Sequence, residues 1–538
     1  MLKQRTVPGV YIQELNAFPD SVVEVATAVP VFIGYTQFNN FQGNSLKQVP
    51  TQINSLTDFI AMFESDKTQN PPPSPGPNIQ YSITPLPKPV AGQPTPVADI
   101  TINGKGYIFT PVASSLFYMY NSIRLYFQNG GATCYVMSIG TYSNEGANGP
   151  QPSDFGDDVF TILKGIEEPT MVLIPDALLF SKAVDYYTLM NNCLAHCGDV
   201  QSRMTLIDAY KGDTVTDALT FNALAGQTDP ATKLQGLDPV SMMRNNLGEN
   251  FLNYGACYYP WLNTNVVGAN EISFNNIVGG FGSNNNALLD TDPVILAHVN
   301  KLLGQLKPAA GAPPVTATTL TRIHNALLSI SPNYQSIMQT LSQKVNCLPV
   351  TPAVAGCICM VDGTQGVWKA PANVSLNAVQ SPVLTIDDLL QDNMNVDPIS
   401  GKSVNAIRSF RGLGVLIWGA RTLEGNSQDW RYISVRRTLI MIEQSIKLAA
   451  RNYVFQANDS STWSNLQSEI ENFLTNIWKQ GGLAGAKPEE AFSVNVGLGS
   501  TMTAQDILDG YLDVAVLVAV THPAEFIEIS FKQQIQLS

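Results

Sequence analysis

The sequence predicts a multi-domain chain of mixed α/β class with α+β character, and three observations carry that expectation. At 538 residues, 44% of them hydrophobic and only 14% charged, the chain exceeds one ordinary core and can fill several. Between Ser114 and Asp208 helical and strand-like patterns alternate, as they do in a layered parallel or mixed sheet. The C-terminal third carries two long helical patterns and then two strand-like runs.

Taken from the N-terminus, Val7 to Glu14 reads as a turn followed by an extended arm, and Val22 to Tyr35, rich in β-branched residues, as the first core strand. From Pro71 to Pro96 the prolines of Pro71-Pro72-Pro73-Ser74-Pro75-Gly76-Pro77 and those beyond exclude helix and central strand, which implies a surface insertion or linker. The alternating series runs helix Ser115 to Phe127, strand Thr133 to Ile139, helix Val159 to Gly165, strand Thr170 to Pro175, helix Ser181 to Cys197 and strand Met204 to Asp208. Residues 212–343 are less periodic, with helices at Pro293 to Leu306 and Thr319 to Ser329. Asp429-Trp430-Arg431 opens a helix that runs to about Tyr453; Ser461 to Gln480 is a second, stopped by Gly481-Gly482; Thr503 to Leu508 is a short third, stopped by Gly510. Strands at Tyr511 to Val520 and Ala524 to Leu537 end the chain. The expected division is 1–25, an arm; 26–110, the first strand and the proline-rich insertion; 111–395, a middle α/β region; 396–515, a C-terminal domain; and 516–538, a terminal strand.

Composition narrows the function. A formal charge of -13, from 43 acidic against 30 basic residues, argues against nucleic acid as a partner, because phosphate neutralisation needs a basic face. Seven cysteines without regular spacing make no disulfide framework and fit a reducing compartment. Met1 to Pro8 has no apolar core of signal-peptide length, and no stretch approaches about 18 apolar residues, so synthesis in a cytoplasm and no direct membrane insertion are expected.

Catalytic chemistry finds little support. Asn103-Gly104-Lys105-Gly106 lacks the spacing and the hydroxyl of a phosphate-binding loop. No Gly-x-Ser-x-Gly elbow accompanies His196, His298, His324 or His522. Cys193, His196 and Cys197 share a helical turn, and Cys357 and Cys359 are read as lying on a strand. That is at most part of a zinc ligand set, so buried small thiols are the better account. The expectation is therefore no catalytic residue, no metal and no cofactor.

Two surfaces stand out instead. On the helix from Arg431 to Tyr453, at about 100° per residue, Val435, Leu439, Ile442, Ile446, Ala449, Ala450 and Tyr453 form a core stripe. Arg436, Ile440, Lys447 and Arg451 fall in a separate arc, with Arg437 near its edge and Glu443 on its other flank. Such a basic face is either an ordinary solvated one or a contact for an acidic partner. The last strand sets Ile527, Ile529, Phe531, Ile535 and Leu537 on one face and Glu528, Ser530, Lys532, Gln534 and Gln536 on the other. It must pair, within its own subunit or with another.

Several motifs in order resemble the contractile tail sheath family of myophage tails, contractile bacteriocins and extracellular contractile injection systems. They are Thr6-Val7-Pro8-Gly9-Val10-Tyr11-Ile12 with Ala26 to Gly34; Gly366-Val367-Trp368-Lys369-Ala370-Pro371-Ala372-Asn373; Val404-Asn405-Ala406-Ile407-Arg408; Trp418-Gly419-Ala420-Arg421-Thr422; Trp430-Arg431-Tyr432-Ile433-Ser434-Val435-Arg436-Arg437; Val454 to Asp459; and His522 to Ile527. The proline-rich insertion and residues 212–343 match nothing in the pattern.

That resemblance implies an inner, tube-facing α/β domain built from the C-terminal third and the N-terminal arm, outer α/β domains inserted between, and extended terminal strands that neighbours exchange. It implies a structural subunit that polymerises helically with itself around an inner tube protein and contracts, alongside baseplate and terminal cap proteins, in a phage tail or a released tail-like particle. Val10 and Ile12 of the first arm and Ile527, Ile529, Phe531 and Ile535 of the last strand become inter-subunit residues. Arg436, Arg437, Ile440, Lys447 and Arg451 become the tube contact. An α/β hydrolase or transferase, or a static shell or filament subunit, is the competing expectation.

Overall fold

The computed structural model describes residues 22–65, 74–88, 97–213, 238–281, 286–306, 315–397, 399–526 and 528. Val10, Ile12, Ile527, Ile529, Phe531 and Ile535 lie outside the described residues. The chain forms two compact units, one of Ala26–Arg437 and one of Met1–Val25 with Thr438–Ser538.

The larger unit is organised by strands whose residues are apolar almost without interruption. Pro30–Thr36 and Cys134–Thr141 are buried at every position, as strands are when a parallel sheet is covered on both faces. Among the described residues the sheet has nine strands. Its order is Val374–Ser375, Gly414–Trp418, Val404–Phe410, Gly255–Tyr259, Met204–Asp208, Met171–Leu173, Pro30–Thr36, Cys134–Thr141 and Thr51–Ile53. From Val404–Phe410 through Cys134–Thr141 all neighbours are parallel, and the outermost pairings are antiparallel. The alternating series expected over 114–208 is present, with helices Met119–Gln128, Asp157–Lys164 and Ala183–Val200 between the strands. Val404–Phe410 and Gly414–Trp418, which the sequence assigned to a C-terminal domain beginning at 396, belong to this sheet.

Buried carboxylates tie helix starts to the sheet. Asp208, at the end of its strand, accepts the backbone N–H groups of Val350 (2.7 Å) and Thr351 (3.1 Å), capping helix Thr351–Gln365. Asp176 accepts those of Tyr35 (2.8 Å), Tyr118 (2.6 Å) and Met119 (3.1 Å). Helix Thr351–Gln365 packs against Met119–Gln128 so closely that a Cβ on Gly356 would stand 2.5 Å from the Tyr126 carbonyl oxygen.

This helix overturns one expectation: Cys357 and Cys359 are helical, not on a strand. The run from Ala353 to Val361 is buried nearly all round, so it lacks the one-sided period that betrays a helix in sequence. Cys359 contacts the Tyr126 hydroxyl at 3.2 Å and the Ala28 carbonyl at 3.1 Å, and all seven cysteines are free thiols.

A second core lies in the same unit. The antiparallel strands Tyr81–Pro85, Lys105–Pro111 and Ile100–Ile102 share it with helices Pro293–Gly304, Ala317–Ile330 and Pro332–Val345, through Tyr81, Ile83, Tyr107, Phe109, Val299, Ile323, Leu327 and Ile337. The prolines of Pro71 to Pro96 were expected to exclude helix and central strand, and the strand found there is not a central one. Tyr81–Pro85 is an edge strand whose prolines stand at or beyond its ends, where a missing N–H is tolerated. Asn103 and Gly104, at φ 50° and 75°, form the two-residue turn between Ile102 and Lys105, a hairpin and not a phosphate loop.

In the smaller unit, Asp459 accepts the N–H groups of Ser461 and Thr462 and starts helix Ser460–Lys479. Leu466, Ile470, Phe473, Leu474 and Ile477 recur at helical spacing and are buried, as are Leu483, Val494, Met502 and Val520. Gly481, at φ 88°, ends the helix, and Gly482 N–H returns to the Ile477 carbonyl. Strands Phe492–Val496 and Val514–Val518 pair antiparallel as a sheet of two strands among the described residues. No helix of the described residues is long and apolar enough to cross a membrane.

Candidate assembly surfaces

Helix Ile433–Ala450, continued by a 3₁₀ turn at Arg451–Tyr453, carries the five residues expected to form one basic face. The structure divides them by depth. Arg436 is 3% exposed, and its guanidinium lies 4.5 Å from the centre of the Tyr254 ring and 4.8 Å from that of Trp430, a cation held by two π faces. Arg437 is 5% exposed and binds Asp362 through both terminal nitrogens, at 2.9 and 2.5 Å. Burial works against the Arg437 cation, but the charge and hydrogen bonds of Asp362 prevail and hold its pKa above the ordinary arginine value. Ile440 is buried as well, whereas Lys447 and Arg451 are exposed. Arg436, Arg437 and Ile440 therefore present no surface to a partner in this state. The physical reason is that one angular stripe can run from a protein interior into water, and angle says nothing of depth.

Sequence reasoning missed the partners of these arginines. Asp362 is a lone charge directly after the apolar run Ala353 to Val361, and a charge buried there requires a counter-ion. That signal was readable. Thr27 is the third member: its hydroxyl donates to Asp362 (2.6 Å) and its carbonyl accepts from Arg437 (2.8 Å).

The small sheet offers a different kind of surface. In Val514–Val518 the valines are half-buried while Ala515 and Leu517 face outward, Leu517 at 68% exposure. Such a two-strand ribbon has backbone edges on which a further strand can build. Beyond the long helix, Val454 and Phe455 are exposed, with Phe455 at φ 68°.

Titratable groups elsewhere serve structure. Burial raises Asp176 and Asp208 to about 6 against the backbone N–H groups they accept, and raises Glu64 to about 8, where Gln37 N–H, Gly76 N–H and the Tyr142 hydroxyl donate to it. Burial pushes His196 down to about 4, helped by Arg203 and Lys164. His324 meets the Tyr334 hydroxyl at 2.8 Å. Among the described residues no group of three or more His, Cys, Asp or Glu comes together to hold a metal ion.

Residues 426–534 match the phage tail sheath C-terminal domain family. Over 154 residues, 29% of this chain, the sequence is 26% identical to the tail sheath protein of Vibrio phage KVP40, and the match spans only 23% of that relative's length. Similarity to solved structures runs end to end. The helical sheath of the anti-feeding prophage in its contracted state is 26% identical at a TM-score of 0.55, covering 98% of this chain and 100% of the other. A chain of the six-fold anti-feeding prophage baseplate gives 26% and 0.55 over 99% and 100%. The contracted sheath complex of the extracellular contractile injection system PVC shares the fold, at 24% identity and a TM-score of 0.56 over 99% of each chain.

Proposed function

We propose that this chain belongs to the contractile tail sheath family, as a structural subunit that polymerises helically around an inner tube and shortens to drive the tube through a target envelope. The observation that carries the reading is the end-to-end correspondence, 98% of this chain against 100% of a contracted sheath subunit. Without nucleotide chemistry, the work is stored in a lattice whose subunits can repack into a lower-energy arrangement. The subunit acts without catalysis. It is made in a bacterial cytoplasm and meets an inner tube protein, a baseplate and a terminal cap.

In this reading the arm at 1–25 and the strand at 516–538 link neighbours. Val10 and Ile12 of the one, and Ile527, Ile529, Phe531 and Ile535 of the other, extend the Phe492–Val496 and Val514–Val518 sheet of another subunit by β-augmentation. Lys447 and Arg451 face the tube, where weak exposed ion pairs, each about 0 to 1 kcal/mol, hold before firing and release afterwards.

Electron microscopy of the purified chain tests the proposal. Hollow cylinders are expected from the intact protein, and deletion of residues 1–15 is expected to leave a folded subunit that forms none. Dispersed particles from the intact chain overturn the sheath reading; normal cylinders from the truncated chain overturn the strand exchange alone.

A further inference from the structure

The chain passes between its two compact units twice, at Val25–Ala26 and at Arg437–Thr438. The second passage falls inside the continuous helix Ile433–Ala450. The first is extended chain leading into strand Pro30–Thr36. Nothing in the covalent chain requires these passages to move together, since they are separated by hundreds of residues.

They are nonetheless bonded on the same side. Within the larger unit, Arg437 is the last residue before the second passage, and Thr27 is the second residue after the first. Arg437 Nη2 donates to the Thr27 carbonyl at 2.8 Å, and the two side chains share one acceptor: Thr27 Oγ1 donates to Asp362 Oδ2 at 2.6 Å, while Arg437 grips both Asp362 oxygens. Asp362 stands in the last turn of helix Thr351–Gln365, whose start is capped by Asp208 of the central sheet. The Arg437 and Asp362 side chains are 5% and 6% exposed. A bidentate pair so shielded from water resists salt screening, and losing one partner strands a buried charge. On the other side of the boundary, in the smaller unit, Val25 N–H donates to Ser445 Oγ at 3.1 Å, so the extended chain stays beside the helix there too.

We infer that Asp362, Arg437 and Thr27 form a clamp that fastens both passages to helix Thr351–Gln365, so that two chain-distant connections act as one. Within the larger unit, neither connection can then shift at Thr27 or at Arg437 without the other. The inference concerns the isolated subunit and does not rest on contraction.

Hydrogen–deuterium exchange of the full-length subunit tests it. In Asp362→Asn the amides of 22–29 and of 436–445 are expected to exchange at least tenfold faster, both together, while helices 183–200 and 466–477 keep their protection. Thr27→Val removes only the hydroxyl and keeps the shape, so it serves if the asparagine variant unfolds. It is expected to speed the same two segments by about threefold. Acceleration of one passage without the other overturns the clamp. So does acceleration confined to 355–365, no change in either variant, or a uniform rise over 26–437 in Thr27→Val, each of which makes the cluster an ordinary core contact.

Discussion

The two sheets of this molecule stand in opposite conditions. The nine-stranded sheet of the larger unit finds its pairing and its cover within one chain; its central strands are buried at every position. The sheet of Phe492–Val496 and Val514–Val518 stops at two described strands and leaves Leu517 to solvent. Both are built from the same β-branched residues, so propensity does not separate them. What separates them among the described residues is cover: the larger sheet is buried through its centre, and the smaller one exposes an edge on which a further strand can build.

Three variants sharpen that contrast, from the largest effect on the isolated subunit to the smallest. Gly356→Val drives side-chain atoms into the Tyr126 carbonyl and the Asn129 backbone, where helices meet over the closed sheet. A loss of about 3 kcal/mol is expected in urea unfolding; a loss under about 1 kcal/mol would show that the closed body yields easily, and the contrast would fail.

Glu64 gives the closed body a pH dependence. Its folded pKa, about 8, lies above the usual carboxylate value of 4.5, so the folded state holds the proton that the unfolded chain releases. Stability from this group is full below pH 4.5 and is lost as pH rises toward 8. Glu64→Gln should flatten unfolding curves between pH 6 and 8 and leave a slope below about 6, where Asp176 and Asp208 titrate in the same sense. An undiminished slope above pH 6 sinks this assignment.

The smallest effect on the subunit belongs to the open region. Reversing Lys447 and Arg451 to glutamate should change unfolding by less than about 0.5 kcal/mol, since both side chains are exposed. Co-sedimentation with tube protein is nevertheless expected to disappear, and retained binding would remove this helix from the tube contact.

The open region was the more legible of the two in sequence, with helices Ser460–Lys479 and Ala504–Leu508 within a residue of their expected bounds, whereas the closed region was legible only unevenly. Met204 to Asp208 and the helix ending near Cys197 were readable because apolar runs alternate there with turn residues. The second core was not: Tyr81, Ile83 and Phe109 must cross more than two hundred residues to meet Ile337, and no local pattern records that meeting. Helix Thr351–Gln365 was lost to its own burial, which erased its period. On helix Ile433–Ala450 the angular positions were legible and the depths were not, because Arg436 is covered by Tyr254 and Trp430, one far away in sequence and the other just ahead of the helix.

The hydrogen bond from Arg437 to Thr27 spans 410 residues. During synthesis it is among the last contacts available, long after strand Pro30–Thr36 has left the ribosome, and the ribbon at Phe492–Val496 and Val514–Val518 emerges later still. A chain that stops short of residue 437 therefore has neither the joint nor the ribbon.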